Sequence, residues 1–463
     1  MTERSSRPAA LVIKGGLVYT PDGPRHTDVH VVDGVITSTE SGTPAPAGAK
    51  VVEARGMYVL PGAVDAHVHS RDPGFPEKED FGTLTAAAAA GGVTTVLDMP
   101  NTVPAVDSAG VLEAKAALAR RKAKVDFGLW ALVRSSSTPD QLEDLAAAGA
   151  VGFKAYLGYA FSQSRKQVGH SPEADDPDLE PPPDYGTLAR LAPVIAELGL
   201  PLAVHAEDPG VLAAFRRPLD SYVDILDARP PLAEALAIAA VGTIARETGV
   251  RIHIAHLSGA RGLRAAEDAI AGGAQLSLET TPSYLWLSDT DSTRLGNFMK
   301  MLPPVRTAAD REALLDGLAR GVIGIVATDH APHTDAEKRQ SFADAPPGSS
   351  GVQTLYVSSL EVAKRMGDVW LAPRWVSERP AALAGLGESK GAIAPGYDAD
   401  LVIVDPSRST AVRPAIMRSR QRHGALDGLE FGFAVSEVFL RGERVGTGAR
   451  PRGRMVRPSG GRG

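Results

Sequence analysis

The sequence predicts an α/β protein: a (β/α)8 barrel of the TIM type, joined to a small β-sandwich domain built from both chain termini. Three observations predict it. Eight short apolar runs alternate with Ala- and Leu-rich segments of helical length between residues 59 and 389, the rhythm that parallel strands with crossover helices require. Strand-like runs separated by tight turns fill residues 8–58 and return at 390–445. Histidines and other polar residues also sit where the apolar runs end, which is where a barrel of this kind carries its chemistry.

The elements follow in order. Leu11 to Val18 alternates and runs into Tyr-Thr-Pro-Asp-Gly, a turn signal. Asp28 to Val32 and Gly34 to Ser38 flank Asp33-Gly34, a good hairpin turn. Val51 to Ala54 adds a short strand. The barrel strands are expected at Tyr58–Val64, Val93–Leu97, Asp126–Val133, Val151–Tyr156, Leu202–His205, Arg251–His256, Gln275–Glu279 and Val322–Asp329. Helices are expected at Ser108–Lys122, Thr138–Ala148, Tyr185–Leu198, Pro231–Glu247 and Ala308–Ala319. The acidic, Pro-rich stretch Gly169–Pro183 has no periodicity and reads as a long loop after the fourth strand, a candidate lid. The runs Asp400–Asp405 and Ser436–Arg441 complete the β-domain. The Gly-, Pro- and Arg-rich tail, residues 446–463, is expected to be disordered.

Composition limits the function. The chain has 463 residues, 43% hydrophobic and 22% charged, with a net charge of −6. Nothing in that balance suggests a nucleic-acid or anionic-membrane partner, and a small-molecule substrate is the expected partner. No apolar run approaches the roughly 20 residues of a membrane span, and the polar N-terminus lacks a signal-peptide core, so a cytoplasmic location is expected. There are no cysteines, which excludes disulfides, thiolate metal sites and a cysteine nucleophile. A metal must be held by His, Asp, Glu or a modified Lys.

Such ligands are present. His67 and His69 are two apart at the end of the first barrel strand, so an extended backbone turns both to one face. Later strands end on or near Lys154, His205, His256 and Asp329. Six metal-competent residues on five strand ends point to a metal centre. Lys154 is the odd member. As an ammonium it would repel cations, but burial favours its neutral amine, which reacts with CO2 to give an anionic carbamate able to bridge two ions. Other histidines read differently: His253 and His330 face away from the set, His170 lies in the acidic loop, and His26, His30 and His423 read as surface residues of the β-domain segments.

The motifs Pro61-Gly-Ala-Val-Asp-Ala-His-Val-His69, Gly152-Phe-Lys-Ala-Tyr156, Val204-His-Ala-Glu207, Ala255-His-Leu-Ser258 and Ala327-Thr-Asp-His-Ala-Pro-His333 resemble the cyclic amidohydrolases. That family comprises dihydroorotase, hydantoinase or dihydropyrimidinase, and allantoinase. The likeness extends from Leu11 to about Val445, including Ala394–Val404. It implies two zinc ions, the first on His67, His69 and Asp329 and the second on His205 and His256, bridged by carboxylated Lys154. It implies hydrolysis of a cyclic amide, with Asp329 moving the proton, and a homo-oligomer.

Arg71, Asn101 in Met99-Pro-Asn-Thr102, and His333 resemble the residues with which dihydroorotases hold their substrate's carboxylate. Dihydroorotase is therefore the expected activity. Tyr159, five residues after Lys154, resembles the tyrosine that supports the oxyanion in hydantoinases, and Glu279-Thr-Thr-Pro-Ser-Tyr-Leu285 departs from the dihydroorotase pattern in the same direction. Hydantoinase or allantoinase is the alternative. Catalytically silent relatives act as scaffolds, but they have typically lost ligands that all remain here.

Overall fold

The computed structural model describes residues 10–169, 176–446 and 448–459. The chain starts in the small β-domain. Strands β1 (Ala10–Thr20), β2 (Gly23–Val32) and β3 (Val35–Ser38) form an antiparallel meander. Asp33 and Gly34 both take positive φ, 52° and 87°, the conformation that a two-residue hairpin turn needs. Strands β4 (Lys50–Glu53) and β5 (Tyr58–Pro61) pair parallel to the start and end of β1.

The barrel follows. Its first half is β6 (Ala63–Val68), β7 (Val93–Asp98), β8 (Asp126–Leu132) and β9 (Gly152–Tyr156). A small antiparallel sheet interrupts it, made of β10 (Ala160–Ser162), β11 (Gln167–Gly169) and β12 (Leu179–Glu180). The second half is β13 (Leu202–His205), β14 (Ile252–Ile254), β15 (Leu276–Thr280) and β16 (Ile325–Val326). All eight barrel strands pair parallel in chain order. β6 to β9 are buried along their whole length, as strands covered on both faces must be.

The ring closes between its ends. Val68 bridges His330, and the His69 N–H donates to the His330 carbonyl at 2.8 Å. Asp65 of β6 also accepts from the Thr328 N–H at 3.0 Å. This seam holds the residues after β16 against those after β6.

After the barrel come β17 (Leu401–Asp405), the short pair β18 (Thr410–Ala411) and β19 (Glu430–Phe431), β20 (Ala434–Leu440) and β21 (Glu443–Arg444). β17 pairs with β5, and β20 with β17, so one eight-stranded sheet contains both chain ends. Its own core includes Ile13, Val29, Ile36, Val59, Leu401 and Phe439. Among the described residues no helix is long and apolar enough to cross a membrane.

Three expectations are corrected. The tail is ordered over residues 448–459. β9 pairs with β8 only from Trp130 onward, which leaves the main chain of Phe127 open at the barrel rim. The tail fills that opening: the Phe127 N–H donates to the Arg454 carbonyl at 3.0 Å, and the Val456 N–H donates to that of Phe127 at 2.8 Å. The stretch after the fourth strand is not wholly irregular either, since Gly169 ends β11 and Leu179–Glu180 forms β12. Glu180 anchors that end by accepting from Ser135 and Arg134. Residues 170–175, His170 among them, lie outside the described residues. Finally, His30 is buried inside β2 and is not a surface residue.

Candidate metal and substrate site

His67 and His69 stand at the end of β6, and their Nε2 atoms lie 3.4 and 3.1 Å from Asp329 Oδ1. The three residues can offer ligand atoms all within 4.8 Å of one another. Across the barrel mouth, His205 at the end of β13 turns Nδ1 to within 2.9 Å of His256 Nε2. Arg71, His256 and Asp329 have positive φ of 59°, 37° and 47°. Non-glycine residues rarely adopt that conformation, and it collects at functional sites.

Hydrogen bonds set which nitrogen of each ring is free. Ionised carboxylates only accept, so the ring atom facing one carries the proton. His67 donates through Nδ1 to Glu279 Oε1. His205 donates through Nε2 to Glu207 Oε2 at 2.7 Å. Asn101 Oδ1 accepts from His69 Nδ1 at 2.6 Å. The remaining ring nitrogens, His67 Nε2, His69 Nε2 and His205 Nδ1, are the ones turned toward Asp329 and His256, and a metal bound there would take their lone pairs. Partners of this kind orient metal-binding imidazoles and raise their basicity.

The charges agree with this reading. Burial opposes ionisation of Asp329, yet His67 and His69 hold its carboxyl well below the usual range. Glu279 is likewise buried, and His67 and His253 keep it ionised. Glu207 is held down to about 2 against its burial by Arg229 and His205. Burial lowers His69 to about 4 and pushes His205 and His256 down as well, so these rings are neutral, as metal ligands must be.

Lys154 lies in β9 with no exposed surface, and burial lowers its amine to about 8. Its Nζ has no hydrogen-bond partner among the described residues. Its charge acts on both His205 and His256, and it feels Glu279 and Asp329 in turn. A buried amine without a partner, close enough to His205, His256, Glu279 and Asp329 to feel their charges, fits a metal centre completed by a modified lysine. The donor set, without thiolate, suits zinc and similar divalent ions.

The residues expected to bind substrate divide into two groups. Arg71, Asn101 and Tyr159 border the same pocket as the histidines. Arg71 is half-buried, with Nη2 3.2 Å from His333 Nε2 and Nε 3.3 Å from the Pro332 carbonyl. Among the described residues no carboxylate forms a salt bridge with it. His333 stands behind Arg71 and meets Lys78 at 3.2 Å, while Lys78 pairs with Glu337 at 2.6 Å. Tyr159 turns its hydroxyl to Arg229 and packs its ring 4.7 Å from that of His205. Asn101 spends its oxygen on His69.

His253 and His330 stay outside the donor set, as expected. His253 bonds Glu279 and Ser277, and His330 accepts from the Gly351 N–H. Sequence reasoning gave no role to Glu207, Arg229 or Glu279. Glu207 carried a usable signal, since it lies two residues after His205. Glu279 carried only its place at a strand end.

Residues 58–445 match the amidohydrolase family. An allantoinase of Streptomyces avermitilis is 38% identical over 456 residues, covering 96% of this chain and 98% of the relative. A dihydroorotase of Pelotomaculum thermopropionicum is 34% identical over 423 residues, covering 89% and 93%. Among solved structures, an L-hydantoinase of Arthrobacter aurescens superposes with a TM-score of 0.87 at 26% identity, covering 96% and 99%.

Proposed function

The chain is a cyclic amide hydrolase of the amidohydrolase family, and from that premise we propose that it opens a cyclic ureide with two zinc ions that carboxylated Lys154 would help to hold. One observation carries this reading: the buried Lys154 amine has no hydrogen-bond partner among the described residues, while His67, His69 and Asp329 converge on one side of the barrel mouth and His205 and His256 on the other. His67, His69 and Asp329 would hold the first ion, His205 and His256 the second. Bound there, the metals supply a polarised carbonyl and a water that loses its proton near neutral pH. Asp329 takes that proton and returns it to the ring nitrogen as the C–N bond breaks and the new C–O bond leaves a carboxylate. His67 and His69 hold its carboxyl below the usual range against its burial, which supports the role. Glu279 and Glu207 keep His67 and His205 in the ligating tautomer.

Allantoin is the substrate that whole-chain relatedness favours, because the relatives that match along nearly the whole chain include several allantoinases. This replaces dihydroorotate as the first reading. One observation keeps dihydroorotate as the second: Arg71 borders the pocket without a carboxylate of its own, and a ring that carries a carboxylate would supply one. Rates on allantoin, L-dihydroorotate, hydantoin and dihydrouracil decide between them. The first reading expects allantoin to be opened fastest. Preference for dihydroorotate by about 100-fold, lost in Arg71→Ala, would overturn it in favour of the second.

A further inference from the structure

The strand that carries Lys154 ends on another buried polar group to which no role has been given. Tyr156 follows Lys154 by two residues, so both side chains leave β9 on one side. Tyr156 is 4% exposed and belongs to a small apolar cluster with Leu132 and Phe161. Its ring lies 5.5 Å from that of Tyr159 and 6.5 Å from that of His205. It borders the pocket formed by His67, His69, Arg71 and Asp329. Its hydroxyl is buried and has no hydrogen-bond partner among the described residues.

The other buried tyrosines show what is normal. Tyr284 gives its hydroxyl to the Pro303 carbonyl at 2.6 Å, Tyr222 to that of Val305 at 2.9 Å, and Tyr356 to that of Pro61 at 2.9 Å. Tyr19 bonds Arg374 at 3.2 Å, and Tyr159 bonds Arg229. Among the described residues, Tyr156 is the one buried tyrosine whose hydroxyl has no partner. A buried donor that goes unsatisfied costs stability, and such a cost is retained where a ligand supplies the missing acceptor.

We propose that Tyr156 contacts the substrate, its hydroxyl donating a hydrogen bond to an oxygen of the bound cyclic ureide. The proposal rests on the ring-opening function argued above. Tyr159 then serves a different purpose: through Arg229 and Glu207 it braces His205.

Tyr156→Phe removes the hydroxyl and keeps the ring. It should lower kcat/KM on the ring that the wild type opens by about 10- to 100-fold. Zinc content should not change. The thermal midpoint of the metal-loaded, ligand-free protein should stay the same or rise, because the hydroxyl has no partner there. Unchanged kcat/KM overturns the proposal while leaving the ring-opening function intact. Loss of zinc along with activity overturns it too, and assigns the hydroxyl to the Lys154 carbamate. A fall in the ligand-free midpoint overturns it by showing a partner in the resting protein. A wild type that opens no ring sinks the function itself and this contact with it.

Discussion

At the scale of the residue, the site depends on where three protons sit. Glu279, Asn101 and Glu207 fix the tautomers of His67, His69 and His205. Glu279 does most, since it also bonds His253 at 3.0 Å and accepts from the His256 N–H at 3.1 Å. Glu279→Ala should weaken zinc binding by about 10- to 100-fold, measured by competition with a chelator. Glu279→Gln keeps an acceptor and should lose less. Equal zinc affinity in both variants and the wild type would show that His67 needs no such partner. The histidines and Lys154 were legible in the sequence because strand-end spacing exposes them. Glu279 was not, because one carboxylate at a strand end looks like any other until the fold brings His67, 212 residues away in sequence, against it.

At the scale of the element, strand β9 must run close to its neighbours for Lys154 to reach the barrel mouth. Gly152 makes this possible: a Cβ there would lie 2.4 Å from the Trp130 ring and 2.8 Å from the Pro201 carbonyl. Gly152→Ala should destabilise the protein by about 1–3 kcal/mol in urea unfolding, since overpacking forces the strand aside. Zinc content should fall with it. An alanine variant with wild-type stability and metal would mean that β9 has room to shift. Seven of the eight barrel strands were legible from apolar runs bounded by turns, whereas the first expected run, Tyr58–Val64, is divided: Tyr58–Pro61 is β5 of the β-domain sheet and the barrel strand begins at Ala63. The strand-like pairing of Arg454 and Val456 with Phe127 was not, because a Gly- and Arg-rich tail carries no apolar pattern. Its order comes from a vacant main-chain edge elsewhere in the fold.

At the scale of the whole molecule, the β-domain is fastened to the barrel by a buried charge cluster. Lys390 Nζ lies 2.9 Å from Asp126, 3.0 Å from Asp398 and 2.6 Å from Asp400. Arg441 also reaches Asp126. Lys390→Met would strand buried carboxylates and should cost roughly 3–5 kcal/mol. Burial opposes the ammonium, but Asp400 and Asp126 prevail and hold Lys390 above the usual lysine value. A raised lysine contributes its stability fully below its unfolded pKa of about 10.4 and loses it as pH rises through the folded value. The wild type should therefore lose stability by this route in alkali, and Lys390→Met should not. Thermal midpoints between neutral and strongly alkaline pH test this, and parallel curves would contradict it. A domain built from both chain ends was legible from strand patterns at each end. The fastening was not, because its members are spread from residue 126 to residue 441.

We propose a two-metal centre completed by a modified lysine. It is tested most directly by titrating zinc into metal-free protein, with and without bicarbonate, while following ring opening of the preferred substrate. The predicted result is a rate that climbs to two equivalents of zinc per chain only when bicarbonate is present, and is abolished in Lys154→Ala. Full activity at one equivalent, indifferent to bicarbonate and retained in Lys154→Ala, would contradict it.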